Sequence, residues 1–351
     1  MSKKSEMFWN KLFVILALAL LTWELRADGF DLNGEYPDLF KAVRRGKLEE
    51  LEPLVESFIA QGKNISDALS PNLSGLRIHR QNLLHEACKW DRLEIIEYLI
   101  SKGLDVNAQD DDGVTPLMIA VSTKHQYYDK DSNSVTTSST SSEKIRYLLS
   151  KGADPLAKSK SERTLLHYAA YMGLDWFVED LIAAKIDPNA SDQNGWTPLH
   201  SAISGGHKNT VEILIRKEAN PKVKSKEGYT LIHIATSHSD ADLDLIQFLI
   251  QNGADINAKL YNGETPLHIA VNKNNPQIVR LLLTNGALPN IYDSEREKNT
   301  PLHIAVKYNF VESAKILLEY GADPNIKNGR GESASKLSRR TGHMSDLFKN
   351  K

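Results

Sequence analysis

One cysteine, Cys88, in 351 residues excludes an intramolecular disulfide and any cysteine-based metal cluster. Charge of either sign is not in excess: 43 lysines and arginines face 45 aspartates and glutamates, a formal net charge of -2. That balance gives no general affinity for a phosphate backbone and argues against a nucleic-acid partner. Long apolar runs are missing save one, Leu12 to Leu21, which is about half the ~20 residues needed to span a bilayer core. Absent too are a glycine-rich phosphate loop at a strand-to-helix junction, H-E-x-x-H, G-x-S-x-G and a paired-carboxylate motif, so the sequence points to no enzyme and no cofactor. Asp110-Asp111-Asp112-Gly113 begins like a calcium loop but lacks the alternation and the closing glutamate.

The single apolar run follows Lys3, Lys4 and Lys11, and its length matches the ~7–15-residue centre of a secretory signal peptide. Ala27 offers a small residue for cleavage. The expectation is therefore export, periplasmic or secreted, with residues 1–27 removed and a polar spacer over 28–36. The alternative is an uncleaved segment that anchors the chain in a membrane through residues 12–23.

What the sequence does contain is a hexad that returns at a nearly fixed interval. Thr197-Pro198-Leu199-His200-Ser201-Ala202 has relatives beginning at Asn82, Thr115, Thr164, Thr230, Thr265 and Thr300. A period of this kind means stacked units, each too small to bury its apolar face alone. Within one unit threonine supplies an N-cap oxygen and proline occupies the first helical position, where a missing N–H costs nothing. Leu199, Ala202 and Ile203 form the apolar stripe of a first helix, and Val211, Leu214 and Ile215 that of a second. Gly103, Gly152, Gly253, Gly286 and Gly321 stand where second helices end and a left-handed residue is needed. Lys185 and Glu218 replace that glycine, which predicts ends that are strained or differently wound.

The hexad T-P-L-H-x-A and the period of about 33 residues resemble the ankyrin repeat. The resemblance implies an all-α solenoid of helix-turn-helix repeats joined by β-hairpin-like loops. Residues 37–81 then form a degenerate N-terminal cap repeat with its connector, 82–332 seven repeats, and 333–351 a degenerate C-terminal cap. One interval is long, and its excess falls in a polar tract at about 122–142, expected as a flexible loop between the two helices of its repeat.

Six histidines, His85, His167, His200, His233, His268 and His303, share one position of the repeat. Equivalent residues of neighbouring repeats lie ~8–10 Å apart, whereas zinc ligands converge to ~2.0–2.1 Å from one ion. A row at that spacing is not a metal site, and the resemblance implies a structural hydrogen-bonding role. Cys88, beside Ala87 in a repeat helix, reads as a small buried residue.

The resemblance further implies that the freely varying positions, at the ends of first helices and at hairpin tips, face a concave groove that binds another protein. In this chain those positions include Lys89, Trp90, Tyr171, Met172, His238, Lys307 and Tyr308 on helices and Trp196, Tyr229 and Tyr261 at hairpins. Aromatic side chains exposed on such a surface anchor protein interfaces. The expected function is a monomeric, non-catalytic protein-binding module; the alternatives are a membrane-tethered scaffold and an enzyme with an unrecognised site.

Overall fold

The computed structural model describes residues 36–69, 80–123, 125–129, 134–138, 142–238, 242–294, 296–342 and 344–348. The signal-peptide-like segment and all but the last residue of the spacer lie outside them, as does part of the connector before the first clear repeat. Two compact units divide the chain, one ending at Ala153 and the other beginning at Asp154.

The first unit holds α1 (Pro37–Arg45), α2 (Leu48–Ala60), α3 (Leu83–Lys89), α4 (Leu93–Ser101), α5 (Pro116–Ser122) and α6 (Ser142–Ser150), with a 3-10 turn at Ile65–Asp67. Inner helices α1, α3 and α5 pack in succession, and outer helix α4 packs on α6. Leu39, Phe40, Ala42 and Val43 of α1 are buried, so the degenerate N-terminal copy joins the stack as a repeat. Between α5 and α6 the tract expected as a flexible loop carries two antiparallel strands, β1 (His125–Asp129) and β2 (Ser134–Ser138), with His125 opposite Ser138 and Asp129 opposite Ser134. Its polarity is as the sequence says. The β-branched and aromatic residues Tyr127, Tyr128, Val135, Thr136 and Thr137 favour extended pairing over open loop.

The second unit continues with α7 (Leu165–Met172), α8 (Asp175–Ala183), α9 (Pro198–Ser204), α10 (Lys208–Arg216), α11 (Leu231–Ser237), α12 (Leu243–Gln251), α13 (Pro266–Asn272), α14 (Pro276–Thr284), α15 (Pro301–Lys307), α16 (Val311–Glu319) and α17 (Ala334–Thr341). Among the described residues the last copy has no full second helix; a 3-10 turn, Ser345–Phe348, follows α17 and buries Phe348. Inner helices α7, α9, α11, α13, α15 and α17 pack each on the next. Seven or eight residues give two turns, far short of the ~12–15 residues at which an isolated helix becomes marginally stable. Packing supplies the rest: the alanine common to the hexads, from Ala169 to Ala305 in this unit, is buried at every copy and lets helices approach closely.

Two devices tie successive turns together. An asparagine in the turn after the outer helix donates its side-chain N–H to the carbonyl that ends the next outer helix: Asn107 to Gly152 at 3.0 Å, Asn189 to Glu218 at 3.3 Å, Asn257 to Gly286 at 3.3 Å and Asn290 to Gly321 at 3.1 Å. The ladder is interrupted where Leu156 and Lys222 stand at that position. The second device is the left-handed residue at the outer-helix end. The five glycines there have φ between 83° and 94°, while Lys185 and Glu218 both sit at 66°. A Cβ forces those two toward the narrow left-handed well, so these ends are wound differently from the glycine ends.

Candidate functional site

The recurring polar residues of the hexad are taken up by the scaffold. In five repeats the backbone N–H of the N-cap threonine donates to Nδ1 of the histidine three residues on, at 3.1–3.2 Å from Thr164, Thr197, Thr230, Thr265 and Thr300. The threonine side chain accepts the histidine's own N–H in return, a capping box in which imidazole replaces the usual glutamate or glutamine. Because Nδ1 accepts, the ring proton resides on Nε2. That proton is donated to the carbonyl preceding the next hexad, from His167 to Trp196 at 3.0 Å, His200 to Tyr229 at 3.2 Å, His268 to Asn299 at 3.3 Å and His303 to Glu332 at 3.0 Å. Each such ring links two repeats. Burial pushes all six histidines below their ordinary value, down to about 4 for His200, His233 and His268, so they are held neutral.

Asp110 explains the acidic run that begins like a calcium loop. Its Oδ1 accepts the backbone N–H groups of Asp112 and Val114, both at 2.9 Å, and Asp192 does the same for Asn194 and Trp196. Both carboxylates cap their hairpins. Among the described residues no group of three or more His, Cys, Asp or Glu is placed to hold a metal ion, and no helix is long and apolar enough to cross a membrane. Cys88 is buried and its thiol is pushed up to about 12 by that burial, which makes it a poor nucleophile.

One buried charge escapes the sequence argument. Lys144 occupies the helix position held elsewhere by Ile95, Phe177, Leu245 and Ile278 and by the small polar residues Thr210 and Ser313, and its side chain is completely enclosed. Its ammonium lies 3.3 Å from Asp91 Oδ1 and donates to the Cys88 carbonyl at 3.1 Å. Burial lowers its pKa and the Asp91 carboxylate opposes the shift. The contacts hold α6 to the α3–α4 turn, directly after the inserted ribbon. A lysine in a helix reads as exposed from sequence; only the stripe position, compared across repeats, signals that it is enclosed.

The residues expected on the binding face divide into three groups. Tyr171, Tyr261 and Tyr308 are 52%, 83% and 50% exposed, and Lys89 and Lys307 are exposed beside them in sequence or at the equivalent place. Tyr308 stacks on Phe310 with centroids 5.7 Å apart and carries the Lys307 ammonium 5.0 Å from its ring, so it stands out as a braced ring. Half-buried residues form the second group: Trp90, whose indole N–H donates to Glu86 at 2.8 Å, Trp196, Tyr229 and His238. Glu86 is itself ion-paired with Arg44, which fixes Trp90 against its own helix. Trp196 lies over the ring of His200 at 5.5 Å and Tyr229 near that of His233 at 6.5 Å, so these two contribute to hairpin packing. Met172 forms the third group and is a correction. It is 7% exposed as the last residue of α7, although Tyr308 at the same repeat position is half exposed. Lysines of the hairpin arms are exposed as well and have no place in the aromatic expectation.

These features define a class of protein: stacked helix-turn-helix repeats whose common residues build the scaffold and whose differing residues emerge at inner-helix ends and hairpins. Residues 84–128 match the family model for ankyrin repeats (many copies), and residues 166–259 and 240–328 match that for ankyrin repeats (3 copies). The chain belongs to the ankyrin-repeat family. Such repeats are generally protein–protein interaction modules and typically non-catalytic.

Proposed function

We propose that this protein recognises a partner protein through the inner-helix ends and hairpin tips of its second unit. One observation carries the proposal: Tyr171, Tyr261 and Tyr308 leave at least half of a large amphipathic ring in water, at positions where the repeats differ, while the common residues around them are buried. Solvent-exposed tyrosines supply contact area at low entropic cost and a hydroxyl for orientation. The N-terminal basic and apolar segment supports export as the setting, with release distinguished from tethering by the first residue of the mature chain, near Asp28 or at Met1.

The test is affinity capture from the exported compartment with the full chain and with a Tyr171→Ala, Tyr261→Ala, Tyr308→Ala variant, the bound protein being identified in each. The variant is expected to lose the partner and keep the parent's thermal unfolding curve, since no ring is a core residue. Undiminished capture by the variant removes this face as the binding site.

A further inference from the structure

We propose that the hairpin edge of the second unit binds an extended, acidic segment of the partner, held by four lysines that recur at one repeat position. The inference rests on the protein-binding proposal above and assigns it a second surface with a defined chemistry.

Six residues past the end of each outer helix, counted from Gly152, Lys185, Glu218, Gly253, Gly286 and Gly321, stand Lys158, Ser191, Lys224, Lys259, Tyr292 and Lys327. Every one is exposed and none is acidic. The residue two further on is Lys160 in the first of these hairpins and Lys226 in the third, and in none of the six is it acidic. The position is the same structurally as well as numerically. Each lysine directly precedes the residue whose N–H closes its hairpin, from Ser159 to Arg163 at 3.1 Å, Ser225 to Tyr229 at 2.8 Å, Leu260 to Glu264 at 2.9 Å and Asn328 to Glu332 at 2.9 Å. In a chain whose formal net charge is -2, a row of this sign on one edge is a local separation of charge.

Five of the seven described acids named in these hairpins are engaged elsewhere. Asp192 is buried beneath its own hairpin, and Asp293 accepts the Asn299 N–H at 2.8 Å. Glu264 accepts from the Asn262 and Asn272 side chains, and Glu297 and Glu332 pair with Arg330 and Arg340. Glu162 lies 3.4 Å from Lys158, but both side chains are more than half exposed, and such a pair is readily exchanged for another carboxylate. The remaining described acid, Glu227, follows Lys226.

Spacing selects the partner. Successive repeats stand ~8–10 Å apart, and an extended chain advances ~3.3 Å per residue, so about three partner residues span one repeat. Lys158 and Lys224 are two repeats apart, Lys224 and Lys259 one, Lys259 and Lys327 two. Carboxylates near positions i, i+6, i+9 and i+15 of an extended segment therefore meet all four ammonium groups. A nucleic-acid strand bears a charge at every residue, and most of its phosphates would find no counter-charge on such a sparse row.

Fluorescence anisotropy with the full chain tests this. The probes are a labelled 18-residue Gly/Ser/Thr peptide with glutamate at positions 1, 7, 10 and 16, the same composition with its four glutamates consecutive, and a single-stranded oligonucleotide. The spaced peptide is expected to bind at least ~10-fold more tightly than the clustered one. Lys158→Gln, Lys224→Gln, Lys259→Gln and Lys327→Gln together are expected to remove that advantage, at about two- to threefold per lysine, with no change in thermal unfolding. Equal binding of the two peptides, an unaffected quadruple variant, or tighter binding of the oligonucleotide overturns the proposal. If the lysine variant captures the cellular partner normally while the tyrosine variant does not, the lysine edge fails and the tyrosine face stands. Capture lost only in the lysine variant gives the reverse result.

Discussion

Replacing His200, His233 and His268 by glutamine should reduce the acid sensitivity of the second unit, leaving the part carried by His167 and His303. Each ring is held neutral by burial with a folded-state pKa of about 4, against an ordinary 6.5 in the unfolded chain. Because the folded value is the lower one, protons bind the unfolded chain preferentially below pH 6.5. The stability these rings carry is complete above pH 6.5 and is lost as pH falls through the window from 6.5 to 4. At 1.36 kcal/mol per pKa unit, one such histidine costs ~2 kcal/mol between pH 7 and pH 5, and three cost ~6 kcal/mol if their repeats unfold together. The sum is comparable to the whole ~5–15 kcal/mol stability of an ordinary domain. At pH 5 most carboxylates are still ionised, so the histidines dominate the change. Urea unfolding followed by circular dichroism at pH 7, 6 and 5 reads the effect as a falling midpoint. Glutamine at the same place can still accept the N-cap N–H and does not titrate. The triple glutamine variant should therefore be less stable at pH 7, having lost the inter-repeat bonds of His200 and His268, yet lose less stability than the parent over this window, the remainder coming from His167 and His303. A parent whose midpoint does not move between pH 7 and pH 5, or a variant as acid-sensitive as the parent, refutes the reasoning.

Two further perturbations address the scaffold. Lys185→Gly and Glu218→Gly relieve left-handed backbone at exposed positions and should each raise unfolding free energy by up to about 1 kcal/mol in urea titration, the relief exceeding the added freedom of glycine in the unfolded chain. Lys144→Ala should cost ~2–4 kcal/mol in the same assay by leaving a void and stranding Asp91, whereas Lys144→Met should lie within about 1 kcal/mol of the parent, since an apolar chain of similar volume matches the large apolar residue that four other repeats place there.

Much of the architecture was legible because repetition turns weak local signals into strong ones. A single Thr-Pro before an apolar pair is a modest helix start; the same start at a nearly fixed interval identifies the unit, its period and its packing alanine. The inserted ribbon shows the limit of composition. Runs of serine and threonine read as solvated loop, while the β-branched members of the same run, Val135, Thr136 and Thr137, satisfy their backbone groups by pairing with Tyr128, Tyr127 and Gln126.

The sequence by itself determined the repeat, the spacing that sets the histidine row apart from a metal site, and the departure of the helix ends at Lys185 and Glu218 from the glycine pattern, because each follows from residue types recurring at a fixed interval. Tertiary structure decided which differing residues reach water. Tyr171 and Met172 are adjacent and equally variable in the sequence, yet one ring is half in solvent and the next side chain is inside the stack. Lys144 and Lys158 are both lysines on repeat elements, and one is enclosed by Asp91 and Cys88 while the other lines an open edge. Exposure depends on what the neighbouring repeat places against a side chain, and that is a property of the stacked pair rather than of either repeat alone.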